Sequence, residues 1–166
     1  FLPTVVMFTQ EKSILNNSAI KAGIKIITVP DDRWKRRDIK TTQLLAQSMA
    51  KSSAVQKGLD DSLLVQDGFI NEGSSSNAFI IKDDDIYTPS LSNFILGGIT
   101  RSTVIEFCKT KSIQIKEQKI HVDDVMDAQE VFLTSATGFV IPVIEIDGRP
   151  VGDGSVGDKV KEIQEI

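Results

Sequence analysis

Apolar positions in this chain fall into short β-branched runs alternating with stretches of helical periodicity. Residues 4–9 (TVVMFT) and 23–29 (GIKIITV) are rich in Val, Ile and Thr and predict strands. Residues 42–57 place Leu44, Leu45, Ser48, Met49 and Ala54 on roughly one helical stripe, with Gly58 as the stop. Residues 62–67 and 77–82 predict strands flanking a Gly-Ser segment, and Asp83-Asp84-Asp85 a turn between strands. A helix over 100–112 follows, with Thr100 as N-cap and Arg101 beyond it. The rest predicts a strand at 113–118, a short helix near 122–127, a strand at 130–135, a hairpin of 139–146 with 149–151 around Asp147-Gly148, and a helix from about 157. The fold class is therefore one α/β domain (mixed α+β) with a strongly curved, mixed sheet or pseudobarrel flanked by helices.

Composition narrows the class. The 166 residues are 40% hydrophobic and 25% charged, which suits a single packed domain. The net charge of -4 argues against nucleic acid as a partner, and Lys35-Arg36-Arg37 is too short a basic run to reverse that. No apolar stretch reaches membrane-spanning length, so no membrane is expected either. Cys108 is the lone cysteine and predicts a small hydrophobe on a buried helix face; a cytoplasmic setting fits best. His121 predicts a surface or capping residue. The opening Phe1-Leu2-Pro3-Thr4-Val5-Val6-Met7-Phe8 lacks the basic head and cleavage site of a signal peptide. It suggests a strand entered mid-protein, hence a chain that is a fragment.

Two motifs promise more than they hold. Asp83-Asp84-Asp85 lacks the alternating ligand spacing and closing Glu of a calcium loop, so no metal is assigned. Gly152-Asp153-Gly154-Ser155-Val156-Gly157 matches G-x-G-x-x-G, but the dinucleotide fingerprint needs a strand and an acidic residue about 20 positions on. A glycine-rich turn into the last helix is expected instead.

The chemistry gathers in three segments. Lys40, in Arg37-Asp38-Ile39-Lys40-Thr41-Thr42, is expected at a strand end just before a helix, held by rigid elements on both sides. Glu72 stands in Asn71-Glu72-Gly73-Ser74-Ser75-Ser76-Asn77. Gly97-Gly98-Ile99-Thr100-Arg101 opens a helix, whose free amides and dipole favour an anion. An amine, a carboxylate and an anion-binding helix start are the groups that hold pyridoxal 5'-phosphate.

In this order and spacing the segments resemble the D-amino acid aminotransferases of the class IV, fold-type IV pyridoxal phosphate enzymes, and the likeness runs along essentially the whole chain. It implies that Lys40 forms the Schiff base and then shuttles a proton as catalytic base and acid. It implies that Glu72 pairs with the pyridine nitrogen, with Ser75 near the cofactor and Leu96 packed on one ring face. Gly98, Ile99 and Thr100 match the phosphate cup, and Thr134-Ser135-Ala136-Thr137 the last cofactor-facing loop. Ala136 stands where these D-amino acid enzymes often have a hydroxyl residue, so there only the backbone amide could reach the phosphate.

The resemblance further implies a homodimer and a smaller N-terminal domain, absent here, that contributes an arginine to the phosphate and much of the trap for the substrate carboxylate. The expected reaction moves an amino group from a D-amino acid to a 2-oxo acid such as 2-oxoglutarate. The Ser74-Ser75-Ser76 run favours the D-enzyme over two same-fold alternatives, an aminodeoxychorismate lyase and a branched-chain L-amino acid aminotransferase. An inactive truncated binding domain is the alternative of a different class. Little turnover is expected of the 166-residue chain alone.

Overall fold

The computed structural model describes residues 2–9, 11 and 17–165. Ten strands there form one curled mixed sheet in the order β6-β5-β4-β8-β9-β1-β2-β3-β7, with β10 paired to β9. The elements along the chain are α1 (Ser18–Ala22), β1 (Ile24–Pro30), α2 (Leu45–Val55), β2 (Asp61–Gln66), β3 (Phe69–Gly73), β4 (Asn77–Lys82), β5 (Asp85–Thr88), α3 (Ile99–Thr110), β6 (Ile115–Glu117), β7 (Ile120–His121), α4 (Val122–Met126), β8 (Glu130–Ser135), β9 (Phe139–Ile146), β10 (Arg149–Pro150) and α5 (Asp158–Ile163).

β1 lies between two parallel neighbours, β2 and β9, while the β2-β3 and β8-β9 pairs are antiparallel hairpins. The seam with β9 is fastened beyond its ladder. The Thr28 backbone N–H and hydroxyl both donate to the Asp147 carboxylate, at 2.9 and 2.6 Å.

Strand alternation divides the core in two. Ala78 and Ile80 of β4 and Val131 and Leu133 of β8 join Ile26, Leu63 and Ile146 in one cluster. Phe79, Ile81 and Phe132, on the opposite face, pack with Val104, Ile105 and Cys108 of α3 and Val160 and Ile163 of α5. The central strands are thus apolar on both faces, which is why they read as near-continuous hydrophobic runs. Phe79 and Phe132 are register partners and stack with ring centres 4.7 Å apart and planes 6° from parallel. Phe132→Ala is expected to cost about 3–5 kcal/mol through lost burial and a residual cavity. The measurement is the urea midpoint, which should fall at unchanged slope.

Several expectations meet a different outcome. Residues 4–9 are not a strand: the segment is exposed, Phe8 by 84%, and no described strand pairs with it. Phe1, the first residue of that opening segment, lies outside the described residues. α2 does not bury its Leu-Met stripe, for Leu45 and Met49 are 73% and 62% exposed while Ala50 and Ala54 face the sheet. Small side chains let that helix lie close to β1 and β2, and Gly58 follows with φ +74. The N-cap of α3 is Gly98 rather than Thr100, because the first helical bond runs from Ser102 N–H to the Gly98 carbonyl at 3.1 Å.

Other readings hold. Cys108 is buried, and burial raises its thiol. His121 caps α4, its Nδ1 accepting from the Asp123 amide at 3.3 Å. Asp83 and Asp84 take positive φ in the β4-β5 turn. The segment from Gly152 to Gly157 is a turn into α5.

Candidate active site

Glu72 is the centre of the buried polar structure. It stands on β3, a strand whose alternation (Phe69, Ile70, Asn71, Glu72) is broken by polar residues and which hydrophobic patterning missed. Glu72 is only 4% exposed. Arg33 Nη1 donates to its Oε1. Its Oε2 accepts from Asn77 Nδ2 and from the Leu96 N–H, each at 3.1 Å. A carboxylate has about four acceptor positions. Three are filled by these donors and one remains.

Arg33 is itself held from behind. Its Nε and Nη2 make a bidentate pair with Asp31, at 2.8 and 2.7 Å, and Asn71 Nδ2 donates to the same carboxylate at 2.8 Å. Arg37 is buried and lies 3.4 Å from the Asp31 carboxylate. It donates to Gln66 Oε1 at 2.7 Å and to the Arg33 carbonyl at 3.0 Å, and lies over the Phe94 ring. Of the basic run only Lys35 and Arg36 stay exposed, Arg36 paired with Asp38.

The charges follow this geometry. Burial pushes the Glu72 carboxyl above its ordinary value, and Arg33 and the Leu96 amide pull it back without cancelling the shift. Burial also works to raise Asp31, but Arg33, Asn71 and Arg37 outweigh it and hold that carboxyl below its ordinary 3.8. A lowered carboxyl stabilises the fold above its unfolded value and loses that contribution as pH falls through its folded value. Asp31→Asn is therefore expected to be less stable than the parent at neutral pH, and to lose less on acidification from about pH 4 to about pH 2. Urea midpoints across that range are the check.

The second centre is the start of α3. The amides of Ile99, Thr100 and Arg101 precede the first helical bond, the arrangement that suits an anion. Ile99, Thr100 and Ala136 share the wall of one open cavity of about 600 Å³. Ser135 closes the β8-β9 turn by accepting from Gly138 N–H at 3.0 Å, and Thr137 is exposed in that turn. Beside it Thr134, opposite Asn77 in register, buries a hydroxyl that has no hydrogen-bond partner among the described residues.

The two centres meet at Leu96, whose N–H serves Glu72 and which lies two residues ahead of Gly98. Gly73 earns its place by close approach and not by positive φ: a Cβ there would overlap Ser76 Oγ and press on Leu133. Of the serine run, Ser74 turns inward to donate to Asp61, Ser76 is half-buried, and Ser75 alone is exposed.

Lys40 is placed differently from expectation. It is exposed in an irregular segment ten residues beyond the end of β1 and five before α2, not at a strand end. The segment is anchored upstream: Arg33 binds Glu72, and Arg37 N–H donates to the Asn93 carbonyl at 2.8 Å, next to the loop that carries Leu96. Lys40 and Ser75 are not hydrogen-bonded to the Glu72 network. Arg33, Asp31 and Asn77 are the site residues that sequence reasoning did not assign. Asp31-x-Arg33 offered one weak signal, an acid and a base two apart just after a strand.

This curled mixed sheet is the fold of the fold-type IV aminotransferases. Residues 2–146 match the family model Amino-transferase class IV, and the chain belongs to that family. D-alanine aminotransferase of Bacillus licheniformis is 39% identical over 142 residues, 86% of this chain and 50% of that protein. A branched-chain amino acid aminotransferase of T.th., solved with pyridoxamine 5'-phosphate, superposes with a TM-score of 0.83 at 30% identity, over 94% of this chain and 53% of that one. A putative 4-amino-4-deoxychorismate lyase of Legionella pneumophila shares the fold, with a TM-score of 0.79 at 24% identity over 87% of this chain and 55% of that one. The chain spans about half the length of the curated relatives it matches. Class IV aminotransferases use pyridoxal phosphate.

Proposed function

We propose that this chain is the cofactor-binding part of a pyridoxal phosphate aminotransferase that moves an amino group from a D-amino acid to a 2-oxo acid such as 2-oxoglutarate. The observation that carries the reading is the bond from Leu96 N–H to Glu72 Oε2, which makes the buried carboxylate and the approach to α3 one unit. The remaining acceptor position on Glu72 suits a protonated ring nitrogen. The free amides of Ile99 and Thr100 suit a phosphate dianion, and the half-buried Leu96 supplies an apolar contact for a ring.

When bound, the cofactor supplies an electron-accepting ring for charge that develops at the substrate Cα. Glu72 keeps the ring nitrogen protonated, and Arg33 fixes the carboxylate that does so. Lys40 would hold the cofactor through its Nζ, and as a free amine would carry the proton taken from the substrate Cα. The amides at the helix start hold the phosphate end still while the other end reacts.

The D-configuration is favoured by the D-alanine aminotransferase relatives, at 39% identity against 30% for the branched-chain enzyme. A homodimer in the cytoplasm belongs to the same reading, and the exposed Leu44, Leu45 and Met49 around α2 support its pairing. The protein that carries this chain is expected to release pyruvate from D-alanine in the presence of 2-oxoglutarate. Turnover of L-leucine with none of D-alanine would sink the D-specific reading, and pyruvate from aminodeoxychorismate would replace it with the lyase. The 166-residue chain alone is expected to turn over at least ~100-fold more slowly, since small misplacements of reacting groups cost that much.

A further inference from the structure

Asn77 opens β4 and is buried. Its Nδ2 donates twice, to Glu72 Oε2 at 3.1 Å and to the Leu96 carbonyl at 2.8 Å. The other end of the same carboxamide faces the helix start: a Cβ on Gly98 would overlap Asn77 Oδ1, and the next nearest atom beyond Asn77 is Arg101 Cβ at 3.9 Å. Gly98 has φ -71 and ψ 144, a conformation open to any residue, so backbone freedom does not demand glycine there. What demands it is the space taken by Asn77. One planar group therefore touches the carboxylate, the loop carbonyl and the N-cap of α3.

We propose that Asn77 is a positioning residue that fixes the separation between the Glu72 carboxylate and the α3 amides, so that binding of an anion at Ile99 and Thr100 is felt at Glu72 through its carboxamide. Nδ2 of this planar amide is held by two acceptors and Oδ1 fills the space beside Gly98, so the group cannot rotate without breaking a bond, and a small movement of Gly98 is passed on to Glu72 Oε2. Glu72 is otherwise fixed by Arg33, which is locked on Asp31, with Arg37 next to both. Arg33 bonds to Oε1, the oxygen that Asn77 does not use, and neither Arg33 nor Arg37 is among the atoms nearest a Cβ on Gly98. Asn77 and Leu96 are thus the two routes between the centres, and Asn77 bonds to Leu96 as well.

The inference rests on the helix start being an anion site, and its test needs neither cofactor nor activity. Inorganic phosphate is titrated into the protein while the amide resonances of Ile99 and Thr100 and the side-chain carboxyl carbon of Glu72 are followed by NMR. In the parent, all three should shift along one binding curve. In Asn77→Ala the amides should still shift, and the Glu72 response should shrink to what Leu96 and the direct field of the phosphate carry. The direct field of the phosphate is the same in both proteins, so a merely structural Asn77 would leave the Glu72 response undiminished. Gly98→Ala is the second variant, in case Asn77→Ala does not fold. Its methyl meets Asn77 and not Glu72, so a displaced Glu72 resonance before any phosphate is added is the expected result. Amides that shift in the parent while Glu72 stays still would overturn the coupling and leave the anion site standing. No shift at Ile99 or Thr100 would overturn both.

Discussion

Lys40→Ala is expected to abolish covalent attachment of pyridoxal phosphate. With the parent, borohydride treatment after addition of the cofactor should fix it to the peptide that contains Lys40; with the variant, no peptide should carry it. In the protein that carries this chain, turnover should fall by roughly 100- to 10,000-fold, the usual contribution of a positioned acid-base group. The melting temperature should not move, because Lys40 is exposed and makes no ion pair among the described residues. Loss of chemistry without loss of fold is the signature that separates Lys40 from the buried charges. A cofactor label that persists, on Lys35 for example, would refute the assignment.

Arg33→Met is expected to do the reverse and weaken the fold itself. Arg33 lies between two carboxylates whose side chains are 0% and 6% exposed. Removing it leaves both anions buried without their main partner, a change that costs about 3–5 kcal/mol. For a chain of this size that corresponds to a fall of roughly 6–20 °C in melting temperature. Methionine keeps much of the side-chain volume, so the loss reports charge and not a cavity. Pairing Arg33→Met with Glu72→Gln removes one of the stranded charges and should recover part of the stability, a non-additivity that marks a shared network. A melting point within a degree or two of the parent would mean that Arg33 does not hold Glu72.

Strands with apolar residues on both faces were legible because β-branched runs such as Ile24–Val29 and Ala78–Ile81 leave no other element to form. α3 was legible from its glycines and its length. β3 was not, since its alternate positions carry Asn71 and Glu72, which belong to the site and not to the core. α2 showed a helical period but hid its buried face: two alanines, Ala50 and Ala54, face the sheet while larger residues look outward. The chemistry divides the same way. Glu72 and the helix start were visible as motifs, whereas Arg33 sat among basic residues that usually face water, and only folding brings it across to a strand 39 positions away. Asn77 was part of a recognisable string, but its spacing to Gly98 exists only in three dimensions.

The parallel seam between β1 and β9 bears on how the molecule is made. Thr28 and Asp147 are 119 positions apart. A ribosome adding about 5–20 residues per second takes roughly 6–24 s to cover that distance. β2 emerges soon after β1 and can pair with one of its edges, but the other edge waits until β9 has been synthesised. For those seconds the nascent chain carries an open apolar strand, the kind of edge that recruits neighbouring chains. Slowed elongation after β2 should therefore lower the yield of native protein, and chaperones that shield β1 should restore it.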